Sequence, residues 1–129
     1  MKCVVLSGLS NNAMHDLENR ILRTIEIRSP HNFVSVLHIN VGDPVFMSST
    51  SHSDITTGTT GIIARVQQLD ISMHRVVQGN DLYYEERETQ MARIQLIAEG
   101  AGRVRTVLHS ELGGVMVADV EERPIYAAW

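Results

Sequence analysis

A chain of 129 residues, 43% hydrophobic and 20% charged, has room for one domain over residues 1–129 that buries roughly two-thirds of the surface its unfolded form exposes. Its composition is that of an ordinary globular protein, which points away from disordered and membrane classes, and a formal charge of -4 with a pI near 5.8 argues against a nucleic-acid partner for lack of a broad basic footprint. Cys3 is the single cysteine, so no intramolecular disulfide is possible and a cytoplasmic location is expected.

The apolar run Cys3-Val4-Val5-Leu6 suits a first strand; it is too short for a signal h-region or a spanning helix, so Met1 is the expected start of folded protein. Ser10, Asn11 and Asn12 offer caps for a helix over residues 13–27, with Met14, Leu17, Ile21 and Ile25 on one face and Pro30 forbidding continuation. Residues 32–41 alternate, Phe33, Ser35, Leu37 and Ile39 against Val34, Val36, His38 and Asn40, which predicts a strand. After the Gly42-Asp43-Pro44 turn, Val45-Phe46-Met47 reads as a short partner strand, and residues 48–61 as a polar loop.

Ile62, Ile63, Val66, Leu69, Met73, Val76 and Val77 recur at three and four, predicting a second helix that ends near Gly79. Asp81 can cap a third, in which Tyr83, Tyr84, Met91, Ile94, Ile97 and Ala98 share an arc and Gly100 is the stop. Ala92, Ile94, Leu96 and Ala98 also alternate as in a strand, but Glu85-Glu86-Arg87-Glu88 and the caps favour the helix. From Val104 the period is two; Gly113-Gly114 permits a hairpin; residues 115–120 are apolar on both faces, as in a deeply buried strand. Pro124 ends that strand and leaves an apolar tail to Trp129 that is expected to pack on its own core or on a neighbouring subunit. The pattern predicts an α+β fold with a small, mostly antiparallel sheet and two to three helices.

Two stretches carry a family resemblance. One is Leu6-Ser7-Gly8-Leu9-Ser10 with the helix through Leu17; the other runs from Tyr84-Glu85-Glu86 along the expected long helix to Gly100-Ala101, Val104 and Ser110-Glu111-Leu112. In both the chain resembles the YbjQ-type proteins, small bacterial proteins labelled as heavy-metal-binding domains. It departs from them at Gln78-Gly79-Asn80, where that family shows Gly-Gly-Glu, and at Gly100-Ala101-Gly102-Arg103-Val104, where it shows Gly-Ala-x-Ala-Val. The resemblance implies a homo-oligomeric ring of five subunits or a multiple of five, and no catalytic mechanism that maps onto residues.

His109 and Glu111 stand two apart on one expected strand and so on one face, where both can reach a divalent metal ion or simply form a surface pair at a sheet edge. His52 and Asp54, with His15, Asp16 and Cys3, are further donors, although no spacing unites them. Thr59, Thr60 and Gly61 precede the expected second helix, where amides and hydroxyls can hold an anion or merely cap the helix; the Gly-Lys-Ser/Thr ending of a P-loop is absent. Arg103 and Arg105 can pair with phosphate or, across subunits, with Glu121 and Glu122.

Three functional readings follow. The first is a non-enzymatic ring protein binding a metal ion or small ligand at subunit interfaces. The second is an ACT-like or ferredoxin-like ligand-binding module, since Gly61-Ile62-Ile63-Ala64-Arg65-Val66 resembles the helix start of ACT domains. The third is a hydrolase-type enzyme with His109 and Glu111 as acid and base.

Overall fold

The computed structural model describes residues 1–19, 21–80, 83–109 and 115–123. Its order is β1 (Lys2–Leu6), α1 (Asn11–Glu18), β2 (Arg23–Ile27), α2 (Pro30–Val36), β3 (Pro44–Met47), a 3-10 turn (His52–Asp54), β4 (Thr60–Asn80), β5 (Tyr83–His109) and β6 (Met116–Arg123). The six strands form one mixed sheet in the order β2-β5-β4-β3-β1-β6. β5 also pairs with β6, so β1, β3, β4, β5 and β6 close on themselves as a barrel while β2 is left outside. Every pairing is antiparallel except β1 with β3. That parallel pair needs a long crossover, which is the segment carrying α1, β2 and α2.

Closure creates two apolar layers. Cys3, Val5, Phe46, Ile63, Val104, Met116, Ala118 and Val120 fill the lumen. Leu6, Val45, Met47, Ile62, Ala64 and Val66, joined by Ala92, Ile94, Leu96 and Ala98, face outward under Ala13 and Leu17 of α1 and Phe33 and Val36 of α2. A strand covered on both faces reads as an unbroken apolar run, which is why Val45-Phe46-Met47 and Ile62-Ile63-Ala64 have no polar side.

Phe46 is the central lumen side chain, and two glycines make room for it. A Cβ on Gly102 would lie 2.9 Å from both Phe46 Cδ2 and Cε2 and 2.9 Å from Val120 Cγ1; a Cβ on Gly61 would fall on the Met47 carbonyl oxygen. Bulges then re-aim β5. Ile63 pairs with Gly100 but Ala64 with Ala98, so Glu99 is an extra residue, and Val104 pairs with Val120 but Thr106 with Asp119, which makes Arg105 another. The first bulge switches the inward parity from outer-layer Ala98 to lumen-facing Val104.

Four expected elements are corrected. The helix over residues 13–27 ends at Glu18, and Ile25 and Ile27 instead belong to β2, paired with Ile94 and Ala92; Ile21, required on the helical face, is 50% exposed. The strand over residues 32–41 is instead α2 as far as Val36, followed by a turn, because Pro30 pre-sets the first helical turn and Phe33 and Val36 bury one side at helical spacing. The helix over residues 62–79 is β4, whose bulge at Gln67, between the pairs of Val66 and Gln68, broke the alternation and left spacings of three and four. The helix expected after Asp81 is β5 from Tyr83 onward, and the alternation of Ala92, Ile94, Leu96 and Ala98 is the pattern that holds. Cross-strand pairing there overrides the helix propensity of Glu85-Glu86-Arg87-Glu88.

Residues 115–120 are a strand, though one that alternates: Met116, Ala118 and Val120 are buried, Val117 and Asp119 half-buried. The Gly113-Gly114 hairpin, Glu111 and the tail to Trp129 lie outside the described residues. The result is an α+β fold with a mixed six-stranded sheet and two α-helices.

Candidate functional site

A cleft of about 740 Å³ lies between α1 and the start of β4. α1 begins where it does because Ser10 caps it, its Oγ accepting the Ala13 amide proton at 3.1 Å. Ala13 and Leu17 then turn inward, so Met14 is half-buried while Asn11, Asn12, His15 and Glu18 stay on the solvent side and line one wall. Ser49, Thr60, Gly61, Ile62 and Ala101 form the facing wall. That wall is tied down locally: Ser48 Oγ donates to the Thr60 carbonyl at 3.1 Å, and the Leu9 amide donates to the Ser48 carbonyl at 3.1 Å.

The lining is amphipathic. Met14, Ile62 and Ala101 supply apolar contact, Asn11, Asn12, Ser49 and Thr60 supply neutral hydrogen-bonding groups, and Glu18 supplies a carboxylate. Asn19 Nδ2 lies 3.2 Å from His15 Nε2 and donates to the His15 carbonyl at 2.9 Å. Among the described residues no lysine or arginine lines the cleft, so it offers an anion nothing to pair with and a cation one carboxylate.

The expected anion site is thereby revised. Thr60 and Gly61 do line the cleft, but they open a strand, so the helix dipole on which the reading depended is absent. Thr59 is spent on a turn: its Oγ1 accepts the Thr56 amide at 3.0 Å and its amide donates to the Thr56 carbonyl at 3.0 Å, with Gly58 at φ 92° in the position that demands it. Gly61 is explained by packing on Met47 and Phe46. Arg103 Nη2 donates to Glu121 Oε2 at 3.0 Å, a pair within the chain between register partners on β5 and β6, and this guanidinium holds the Glu121 carboxyl below its ordinary value. Arg105 is exposed, and its carbonyl accepts from Thr57 Oγ1 at 3.1 Å.

The expected metal set is dispersed where it is described. Asp54 Oδ2 accepts from Ser51 Oγ at 2.6 Å within the 3-10 turn. His52 stacks on His31 instead, the ring centroids 4.5 Å apart and tilted by 37°. His52 also borders a second cleft of about 560 Å³ with Thr57, Thr106, Val107 and Met116. His109 is the backbone partner of Met116, and Glu111 lies outside the described residues. Among the described residues no three His, Cys, Asp or Glu side chains come close enough to share an ion.

Sequence reasoning missed three features. His31 and His52 are 21 positions apart, so only the docking of α2 against the turn joins them; burial, then the neighbouring His52, lowers the His31 pKa from 6.5. Asn32, buried in α2, takes the Ser7 amide proton on Oδ1 at 3.1 Å and donates from Nδ2 to the Ser7 carbonyl at 2.8 Å. Arg65 holds Glu99 through two contacts, 2.5 and 2.9 Å, and donates to the Gly42 carbonyl at 2.6 Å, clamping the first β5 bulge.

A closed mixed barrel with a helix-walled amphipathic cleft defines a small α+β protein; among the described residues, no helix is long and apolar enough to cross a membrane. A family model matches residues 1–118, and the chain belongs to that family, described as a protein of unknown function, DUF473. The chain is also similar to an uncharacterized protein of Methanocaldococcus jannaschii, 32% identical over 96 residues, which is 74% of this chain and 60% of that relative. No solved structure matches it. The YbjQ-type resemblance is overturned: the matched family is a different one, and the long amphipathic helix in which one of its two anchors lay is the strand β5. The heavy-metal label and the ring of five that it implied have no support from the matched family.

Proposed function

We propose that this chain is a small-ligand-binding protein whose site is the cleft beneath α1, and that its ligand is a neutral or cationic organic molecule with an apolar face. The carrying observation is the lining, which pairs an apolar patch at Met14, Ile62 and Ala101 with neutral hydrogen-bonding groups and a lone carboxylate on Glu18. The volume of about 740 Å³ falls within the roughly 300–1,000 Å³ range of small-molecule sites. An ammonium or amidine group would sit at Glu18, the molecule's apolar body against Met14 and Ile62, and its polar edge on Asn11, Asn12 and Thr60.

A thermal-shift screen of the full chain with aromatic amines, nucleosides and their phosphorylated counterparts tests this. A ligand at one hundred times its Kd stabilises the folded state by about 2.7 kcal/mol. Amines and uncharged nucleosides are expected to raise the melting point and phosphorylated ones to do so less. Glu18→Gln should abolish the shift from amines while leaving the unliganded melting point unchanged, because Glu18 is exposed. A shift confined to phosphorylated compounds, or one indifferent to Glu18→Gln, would overturn the proposal.

A further inference from the structure

β4 and β5 continue far past the barrel. The last register pair that β2 makes is Ile27 with Ala92, and the last that β3 makes is Pro44 with Arg65. From Ser72↔Met91 to Asn80↔Tyr83 the two strands run on as nine register pairs with no third strand on either edge among the described residues. At about 3.3 Å per residue this ribbon extends about 30 Å. A two-stranded ribbon is marginal in water by itself, and the outward row of amides and carbonyls on its β4 edge meets no third strand among the described residues. A chain that retains such a ribbon has a use for an edge.

The two edges differ in charge. The β5 half, residues 83–90, carries Glu85, Glu86, Arg87 and Glu88, a dense charge block of the kind that protects an edge from pairing. The β4 half, residues 72–79, reads Ser-Met-His-Arg-Val-Val-Gln-Gly, with Arg75 as its one formal charge. At the ribbon's root on the same strand, Ile71 is 44% exposed. With four carboxylates and two arginines over residues 72–90 and a whole-chain charge of -4, the ribbon also lacks the cations a nucleic-acid groove would require.

We propose that the β4 edge of this ribbon pairs antiparallel with the same edge of a second copy of the chain, making a two-fold dimer through a continuous four-stranded ribbon. Setting Val77 opposite the partner's Val77, since two-fold symmetry requires one residue to face itself, places Arg75 opposite the partner's Gly79. The two Arg75 positions then sit four residues apart along the strands, about 13 Å, where ordinary salt screens their repulsion. Self-pairing of the β5 edge would instead gather a net charge of -2 from each copy on adjacent strands. Pairing β4 with a partner's β5 would be head-to-tail and would build a larger ring or an open filament rather than a dimer. The β4 edge on itself is the arrangement that both closes as a dimer and avoids like charges.

Sedimentation of the full chain over a hundredfold concentration range tests the inference. A dimer is expected; a monomer throughout, or a trimer or larger assembly, overturns it. Val76→Glu with Val77→Glu places carboxylates opposite one another across the two-fold axis and should leave a monomer, whereas Glu86→Lys on the β5 edge should leave the dimer intact. A second variant, replacing residues 74–89 by Asn-Gly, keeps the barrel and removes the ribbon. It is expected to be a monomer with a cooperative melt, and a persisting dimer there refutes the β4 edge as the interface. None of these outcomes depends on ligand binding in the cleft.

Discussion

Gly102→Ala is the sharpest test of the barrel interior. The added methyl meets Phe46 Cδ2 and Cε2 and Val120 Cγ1, all at 2.9 Å, closer than carbon atoms tolerate, and every one of those atoms belongs to a side chain. Overpacking of this kind costs about 1–3 kcal/mol, a large part of the roughly 5–15 kcal/mol that holds a domain folded. Phe46→Leu removes the ring and costs about 1–3 kcal/mol by itself, since Phe46 is fully buried. In the double variant the methyl occupies space the ring vacated, so the two losses should fall short of their sum by about 1 kcal/mol or more. Gly61→Ala is the control: its methyl meets the Met47 carbonyl oxygen, a backbone atom that Phe46→Leu does not move, so rescue there should be much smaller. Urea denaturation of the five variants and the parent measures both cycles. Additive losses for Gly102→Ala with Phe46→Leu, or equal rescue of the two glycine variants, would refute the account of Phe46 as the side chain that both glycines accommodate.

Asn32→Leu leaves the Ser7 amide and carbonyl buried without partners and should cost about 2–4 kcal/mol, read as a lower denaturant midpoint with an unchanged slope. The His31 pKa is lowered in the folded state, so the unfolded chain binds more protons there; the protein should lose stability as pH falls through 6.5, and His31→Gln should flatten that loss in melting curves taken from pH 8 to pH 5. Burial in the lumen pushes the Cys3 thiol up to about 11, so maleimide or disulfide reagents at pH 8 should label it only on global unfolding, and labelling of the native protein within minutes would contradict the closed barrel.

Short apolar runs and caps were legible in the sequence. Lys2–Leu6, Pro44–Met47 and the strand after Gly114 follow from apolar clustering between turn residues, and Ser10 was readable as the cap of α1. The two long strands were not legible, and for a physical reason: bulges in β4 and β5 change which parity faces inward, so the apolar residues fall at intervals that a regular helix also produces. Of the cleft, Thr60 and Gly61 could be named in advance; the α1 wall could not, because it depends on how the crossover lays α1 over the sheet. The His31–His52 contact, the Asn32 bridge to Ser7 and the Arg65–Glu99 clamp join residues 21 to 34 positions apart, which no local pattern encodes.

By itself, then, the sequence determined an α+β fold, its first strand and first cap, and a single thiol. Tertiary structure decided that residues 62–79 and 83–99 are a strand pair rather than two helices, because hydrogen bonds to β2, β3 and β6 outweigh the helix propensity of the intervening charged segment. It also decided that β5 meets β6 as well as β4, and that closure converts an open sheet into a barrel with Phe46 in its lumen and a helix-walled cleft on its outer face.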